Sequence, residues 1–306
     1  MNPISDVAFF VAVVKFGTLS AAAQELGVST AAVSRRLAAL EARLGIRLLN
    51  RSTRRASLTQ EGELYLEEGR RILGELDELE QKVSGGQAVP RGLLRVNAGF
   101  GFGRQFIAPA IADFVARHTE VEVQLQLTDR PMQLGQEGIE VCIRFGEVPD
   151  ARITSRMLAS NRRLLVATPA YLKRHGEPAS PAALRQHRCI VIRERDEAYG
   201  NWQLQRGHAH ETVKVGGGVS TNDGEVALNW ALKGMGILMR SEWHVAPYLR
   251  SGRLRQVLAD WQSPAADIHA VYPMKKNLSA KVRAFVDFLD ARFAPQRHEA
   301  GAGRGW

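Results

Sequence analysis

Three glycines, Gly17, Gly27 and Gly45, cut the start of the chain into three segments, each with its own apolar stripe. No other feature of the sequence constrains the fold as tightly. Val7, Phe10, Val11 and Val14 recur at i, i+3, i+4 and i+7, which predicts an amphipathic helix that Gly17 ends. Leu19, Ala22, Ala23 and Leu26 repeat the spacing in a second, short helix that stops at Gly27. After a tight turn at Val28-Ser29, Ser29 is placed to cap a third helix with the stripe Val33, Leu37, Leu40 and Leu44, up to Gly45. Two short helices joined at a glycine read as a helix-turn-helix.

Opposite its stripe the third helix carries Thr30, Ser34 and Arg35, with Arg36 at the flank and Ser29 at the cap. Short hydroxyls and guanidinium forks of this kind suit base edges and phosphates in a DNA major groove. The following run, Arg51-Ser52-Thr53-Arg54-Arg55, is basic, hydroxyl-rich and too short for a core of its own. It is either a solvated loop or, at this distance from a helix-turn-helix, a wing with Arg51, Thr53, Arg54 and Arg55 on the DNA backbone or minor groove. Charge supports the wing. Up to Leu58 there are eight basic and three acidic residues, whereas Thr59 to Pro90 has three and eight, within a chain of net charge +9.

From Thr59, a candidate cap, a helix is predicted to about Val83. Tyr65, Gly69, Ile72, Leu76, Leu79 and Val83 follow 4-3-4-3-4 spacing, the seam of a coiled coil with a second copy of the chain. The same spacing would serve a helix packed on its own domain. Pairing would present two recognition helices to two-fold related half-sites on double-stranded DNA, as a homodimer or a pair of dimers. Ser84 to Pro90 breaks every period and reads as a hinge.

Residues Leu19 to Gly62, with Ala22-Ala23, Leu26, Val33-Ser34, Leu40-Glu41, Leu44-Gly45, Leu48, Arg51, Leu58-Thr59 and Glu61-Gly62, resemble the LysR-type transcriptional regulators. The segment Leu49 to Arg55 is similar to a branch that includes regulators of malate and tartrate utilisation.

From Gly92 onward, short apolar strands alternate with helical patterns: 93–98, 121–127, 141–143, 164–167, 189–192, 236–239 and 268–272 are strands, and 105–117 and the segment holding Val282, Phe285, Val286 and Leu289 are helices. The fold class is therefore α+β and multidomain: a winged helix-turn-helix over 1–59, a linker helix over 60–84, a hinge over 85–91 and an α/β portion beyond. The resemblance implies that this portion is periplasmic-binding-protein-like, with one subdomain from 92–161 plus 267–293, a second from 162–266, and crossings near Asn161 and Asp267. Residues 294–306, rich in glycine, are expected to form a flexible tail.

Ligands in open α/β sheets bind at the carboxyl ends of strands. Those exits carry Gly99-Phe100-Gly101-Phe102, Thr128, Arg144-Phe145, Arg193 and Asn222-Asp223, which makes them the candidate effector site. A helix N-terminus, a hydroxyl and guanidinium groups suit a carboxylate, hence an organic acid or other anionic metabolite. Equally, Arg144 could pair with a carboxylate of its own chain and Thr128 could only cap a strand.

No G-x-S-x-G elbow, H-E-x-x-H, Walker motif or CxxC occurs, so no catalytic residue, metal site or cofactor is expected. Gly99 to Gly103 lacks the G-x-G-x-x-G spacing of a dinucleotide turn. His208 and His210 read as hairpin-tip residues. Cys142 and Cys189, each among apolar neighbours, read as buried thiols rather than a disulfide. No run reaches the roughly 18 apolar residues of a membrane span, so a cytoplasmic, nucleoid-associated regulator is expected. The reading set against it is a solute-binding protein or enzyme that uses its N-terminal domain only to oligomerise.

Overall fold

The computed structural model describes residues 3–50, 57–83, 89–128, 134, 138–146, 153–193, 200–274, 278–297 and 306, with the side chains of 77, 78 and 81–83 left aside. Contacts divide the chain into two compact units, Met1–Ala88 and Val89–Trp306.

In the first unit, α1 (Pro3–Lys15), α2 (Leu19–Glu25) and α3 (Thr30–Leu44) follow the three predicted stripes. Gly17, Gly27 and Gly45 all take left-handed backbone angles, φ 65° to 70°, which a residue with a Cβ enters only at a cost. Thr18 and Ser29 cap α2 and α3, each hydroxyl accepting from the N–H three residues on, at 3.1 and 3.2 Å. Phe9, Phe10, Val13, Ala22, Ala23, Val33, Leu37, Leu40, Leu48 and Leu49 form one core. Strands β1 (Leu49–Asn50) and β2 (Ser57–Leu58) pair antiparallel, Leu49 opposite Leu58. The arginines assigned to the wing tip between them lie outside the described residues.

Helix α4 (Gln60–Val83) starts where Thr59 accepts from the Gly62 N–H at 2.9 Å. The expected seam divides. Tyr65 meets Phe10 edge-on at 5.4 Å, and a Cβ on Gly69 would lie 2.7 Å from a Val7 methyl, so these two positions serve α1 of the same chain. A coiled-coil seam would need them on a partner. They are small or flat because α1 crosses there. Leu64, Ile72 and Leu79 remain exposed.

The second unit begins with β3 (Gly92–Gly99), which turns directly into α5 (Phe100–Phe102), a π-helical turn (Gly103–Ile107) and α6 (Ala108–Arg117). There follow β4 (Val121–Thr128), β5 (Val141–Phe145), β6 (Ile153–Ala159), β7 (Arg163–Ala167), α7 (Pro169–His175) and β8 (Cys189–Ile192). The chain continues with β9 (Asn201–Arg206), β10 (Ala209–Lys214), β11 (Ser220–Thr221), α8 (Gly224–Leu232), β12 (Ile237–Ser241), α9 (Glu242–Arg250), β13 (Arg255–Gln256), β14 (Ile268–Pro273) and α10 (Ala280–Phe293). Strands β9 and β10 form a hairpin with His208 in its turn.

The strands make two five-stranded sheets, ordered β4-β3-β5-β14-β6 and β11-β8-β12-β7-β13. In each, one strand is flanked by two parallel neighbours (β3, β8), and another lies antiparallel to both of its neighbours (β14, β7). The chain passes from one sheet to the other between Ala159 and Arg163 and returns before Ile268. There Asn161 is buried: its N–H donates to Asp267 at 2.9 Å and its Nδ2 to the Ala266 carbonyl at 2.9 Å, so the two passages are tied side by side. Both cysteines are buried and unbridged, and burial pushes the Cys189 thiol up to about 12.

The flexible tail expected over 294–306 is corrected at both ends. Ala294–Gln296 forms a 3-10 turn, and the Trp306 ring lies edge-on to Phe102 and Phe106 at 6.0 and 5.1 Å, its Nε1 donating to the Ser160 carbonyl at 3.0 Å. Glycine content weakens a segment's order, but one indole has enough apolar surface to hold a chain end in place. Residues 298–305 lie outside the described set.

Candidate nucleic-acid interface and effector cleft

On α3 the core stripe faces inward, which leaves Thr30, Ser34 and Arg35 exposed along one side. Among the described residues, Arg35 donates only to its own helix, at the Ala31 carbonyl, 3.4 Å away. Ser29 is committed as the cap acceptor. Arg36 differs from its neighbour. Its Nη2 donates to the Ser5 carbonyl (2.9 Å) and hydroxyl (2.7 Å), lies 3.5 Å from Asp6, and its guanidinium covers the Phe9 ring at 4.5 Å. Asp6 is 1 % exposed and also receives Arg43 at 3.2 Å. Through Nη2, Arg36 thus holds α3 against α1, a structural duty that the sequence reading did not give it beside the expected DNA contact. Arg51, Thr53, Arg54 and Arg55 lie outside the described residues.

Glu41, which the sequence marked without a role, is buried, and its Oε1 accepts from the Leu48 and Leu49 N–H groups at 2.8 and 3.2 Å. That carboxylate ties the end of α3 to the start of β1 and so fixes where the wing leaves the recognition helix.

In the second unit a cavity of about 310 Å³ opens between the two sheets. Gly99, Phe100, Gly101, Phe102, Thr128, Arg144, Phe145 and Asn222 all line it. Sequence reasoning missed Asn97, Arg163, Gly224, Arg240, Ser241 and Trp243 on the same walls. Arg240 and Ser241 sit at the carboxyl end of β12, so the strand-exit rule would have found them had that strand been extended past Met239.

Two expected residues lie outside the lining. Asp223 spends one carboxylate oxygen capping α8, accepting from the Glu225 and Val226 N–H groups at 2.7 and 3.2 Å, while the other lies 3.7 Å from Arg104. Arg193 joins β8 to β11 through its main chain, its N–H donating to the Thr221 carbonyl at 2.7 Å. Neither is among the described lining residues. Helix capping and strand pairing set their place.

The described lining carries three guanidinium groups, from Arg144, Arg163 and Arg240, and no carboxylate. Asn97 donates to the Thr128 hydroxyl at 3.3 Å and to the Gln126 carbonyl at 3.1 Å, which orients Thr128 on the wall. Burial holds the Cys142 thiol above its usual range, against the opposing pull of nearby Arg144. Arg240 donates through Nε to His244 Nδ1 at 2.8 Å, and His244 Nε2 lies 3.0 Å from Glu225 Oε1. Burial, then the Arg240 charge, pushes His244 down to about 4 despite Glu225. Guanidinium groups donate to anions through charge-assisted hydrogen bonds. Among the described residues no group of His, Cys, Asp and Glu could hold a metal ion, and no single helix is long and apolar enough to cross a membrane.

Comparison with known proteins gives the following. Residues 4–63 match the family described as bacterial regulatory helix-turn-helix protein, lysR family, and residues 87–294 match the LysR substrate binding domain. The chain is 40 % identical over 291 residues to the HTH-type transcriptional regulator DmlR of Escherichia coli K12, covering 95 % of this chain and 94 % of the relative. It is 41 % identical over 287 residues to the transcriptional activator TtdR of the same strain, covering 94 % and 92 %. Among solved structures it resembles CrgA, a LysR-type regulator from Neisseria meningitidis, at 30 % identity and TM-score 0.60, covering 96 % of this chain and 99 % of that one. It also resembles full-length AphB, the Vibrio cholerae virulence activator, at 26 % identity and TM-score 0.60, covering 96 % and 100 %.

Proposed function

The chain belongs to the LysR family of DNA-binding transcriptional regulators, with a helix-turn-helix and an effector-binding domain, and from that premise we propose that its effector is a small organic acid held in the cavity between the two sheets. One observation carries the reading: among the described residues, three arginines and no carboxylate line a cavity of about 310 Å³. Guanidinium groups gathered in one small space repel each other, so an anionic guest relieves part of that cost as well as gaining charge-assisted hydrogen bonds. The resemblance to regulators of malate and tartrate utilisation supports the same class.

For DNA, Thr30, Ser34 and Arg35 read base edges from α3, while Arg51, Thr53, Arg54 and Arg55 hold phosphates or the minor groove. The protein acts as a homo-oligomer, a dimer through α4 and a tetramer of two dimers, with the exposed Leu64, Ile72 and Leu79 as the apolar surface of the helix. Effector occupancy changes operator affinity because the guest binds the two sheets in one of their relative positions better than another.

Titration of malate, tartrate and lactate into the purified full chain by calorimetry tests the effector, with gel shifts on the gene's own upstream region testing the DNA. The expected result is malate and tartrate binding that Arg240→Met weakens, and sequence-selective retardation. No heat from any of the three acids would remove the carboxylate reading, and equal retardation of random DNA would remove the operator reading.

A further inference from the structure

We propose that His244 is a positioning residue for effector recognition, holding the Arg240 fork towards the cavity so that the site favours acids with a second carboxylate. This rests on the cavity being the effector site.

The argument begins with a donor that cannot change role. An arginine Nε–H only donates, so at 2.8 Å the His244 Nδ1 must present its lone pair. The ring proton is then on Nε2, facing Glu225 Oε1 at 3.0 Å. Glu225, His244 and Arg240 thus form a directed chain in which the imidazole is neutral, consistent with its burial and its lowered basicity. The ring stacks on Trp243 with centroids 4.8 Å apart and planes 17° from parallel.

Arg240 is held at three points. Its Nε is tethered to His244, its guanidinium lies 5.4 Å from the Trp243 ring centre, and its carbon sits against Gly224, where an added Cβ would come within 2.1 Å. Gly101, from the other sheet's side, approaches the same fork, since a Cβ there would lie 3.4 Å from Arg240 Nη2 and 3.6 Å from Glu225 Oε1. The fork therefore stands where the two walls meet. A long side chain already fixed in direction loses little freedom on gripping a carboxylate, and it discriminates by geometry. Arg144 comes from β5 of the first sheet and Arg240 from β12 of the second, so an acid with two carboxylates can place one on each wall, whereas one with a single carboxylate has only one to place.

The test is calorimetric binding of D-malate and L-lactate to the full chain and to four variants. His244→Phe keeps the ring stack and removes the acceptor; His244→Asn places an amide oxygen near the Nδ1 position. Wild type is expected to prefer malate, and His244→Phe to lose about tenfold for malate, the scale of one charge-assisted hydrogen bond, with lactate unchanged. His244→Asn should stay within about threefold of wild type, the smaller loss expected when the acceptor is kept. Arg240→Met should match His244→Phe, and the double variant should be no worse than Arg240→Met. Equal losses for malate and lactate, no rescue by asparagine, or additive losses in the double variant would overturn the positioning role while leaving the carboxylate site standing. If wild type binds neither acid, the carboxylate reading falls and the positioning role falls with it.

Discussion

Replacing Glu41 with alanine removes the one acceptor that two buried backbone N–H groups share. Leu48 and Leu49 are buried and donate to Glu41 Oε1 at 2.8 and 3.2 Å, and they are the residues that begin the wing. Hydrogen bonds to a charged group contribute about 1.5–3 kcal/mol each, and a buried donor left unpaired loses its share in full. Glu41→Ala should therefore destabilise the first unit by about 3–6 kcal/mol, a large part of a small domain's total stability. Glu41→Gln keeps an oxygen in place and weakens two charge-assisted bonds to neutral ones, a loss of about 1–2 kcal/mol. The assay is urea unfolding of the full chain followed by two signals. All five tryptophans lie in the second unit, so their emission reports that unit alone, whereas helical circular dichroism includes α1 to α4. Glu41→Ala should split the dichroism transition, with its early part moved down by on the order of 2 M urea, and leave the tryptophan midpoint in place. If Glu41→Ala unfolds like wild type, or if Glu41→Gln is as damaging as Glu41→Ala, the shared-acceptor argument is wrong.

Three further outcomes are expected. Adjacent arginines on α3 should separate: Arg35→Ala weakens operator binding in gel shifts with an unchanged thermal midpoint, while Arg36→Ala lowers the midpoint because Asp6, 1 % exposed, loses one of its two partners. For His244 the folded value of about 4 lies below the ordinary 6.5, so the unfolded chain takes up the proton first as the pH falls. Its contribution to stability is complete above about 6.5 and lost on the way down to about 4, by about 3 kcal/mol in all; the tryptophan-monitored urea midpoint should therefore drop more steeply between pH 7 and pH 4.5 in wild type than in His244→Asn, and parallel slopes would contradict this. Gly224→Ala should leave the fold intact, since alanine suits a helix start and the colliding group is the far end of a side chain, yet displace the Arg240 fork and weaken malate binding about tenfold by calorimetry.

The helix-turn-helix was legible because each of its helices is a local object. Periodicity, a capping hydroxyl and a glycine in the left-handed region act within a few residues, so α1 to α3 follow from Gly17, Gly27, Gly45, Thr18 and Ser29. Seven of the strands, β3, β4, β5, β7, β8, β12 and β14, were legible for the same reason. β6 and β13 were not, since β6 mixes Thr154, Ser155 and Arg156 among its apolar residues and β13 is two residues long; both exist by pairing, with β14 and β7.

What the sequence could not decide is which neighbour claims a side chain. Arg35 and Arg36 are the same residue side by side, and only the crossing of α1 over α3 puts Ser5, Asp6 and Phe9 beneath one of them. Tyr65 and Gly69 fit a coiled-coil spacing, but α1 packs there first. Arg240 and His244 stand four residues apart across the junction of β12 and α9, but only the packing of α8 brings Glu225 to His244. Helix and turn preferences are set along the chain and are written in it. Ion pairs and the arginines of a cavity are set across it, and depend on packing that brings distant residues to within three ångströms, as with Arg36 and Ser5, 31 positions apart.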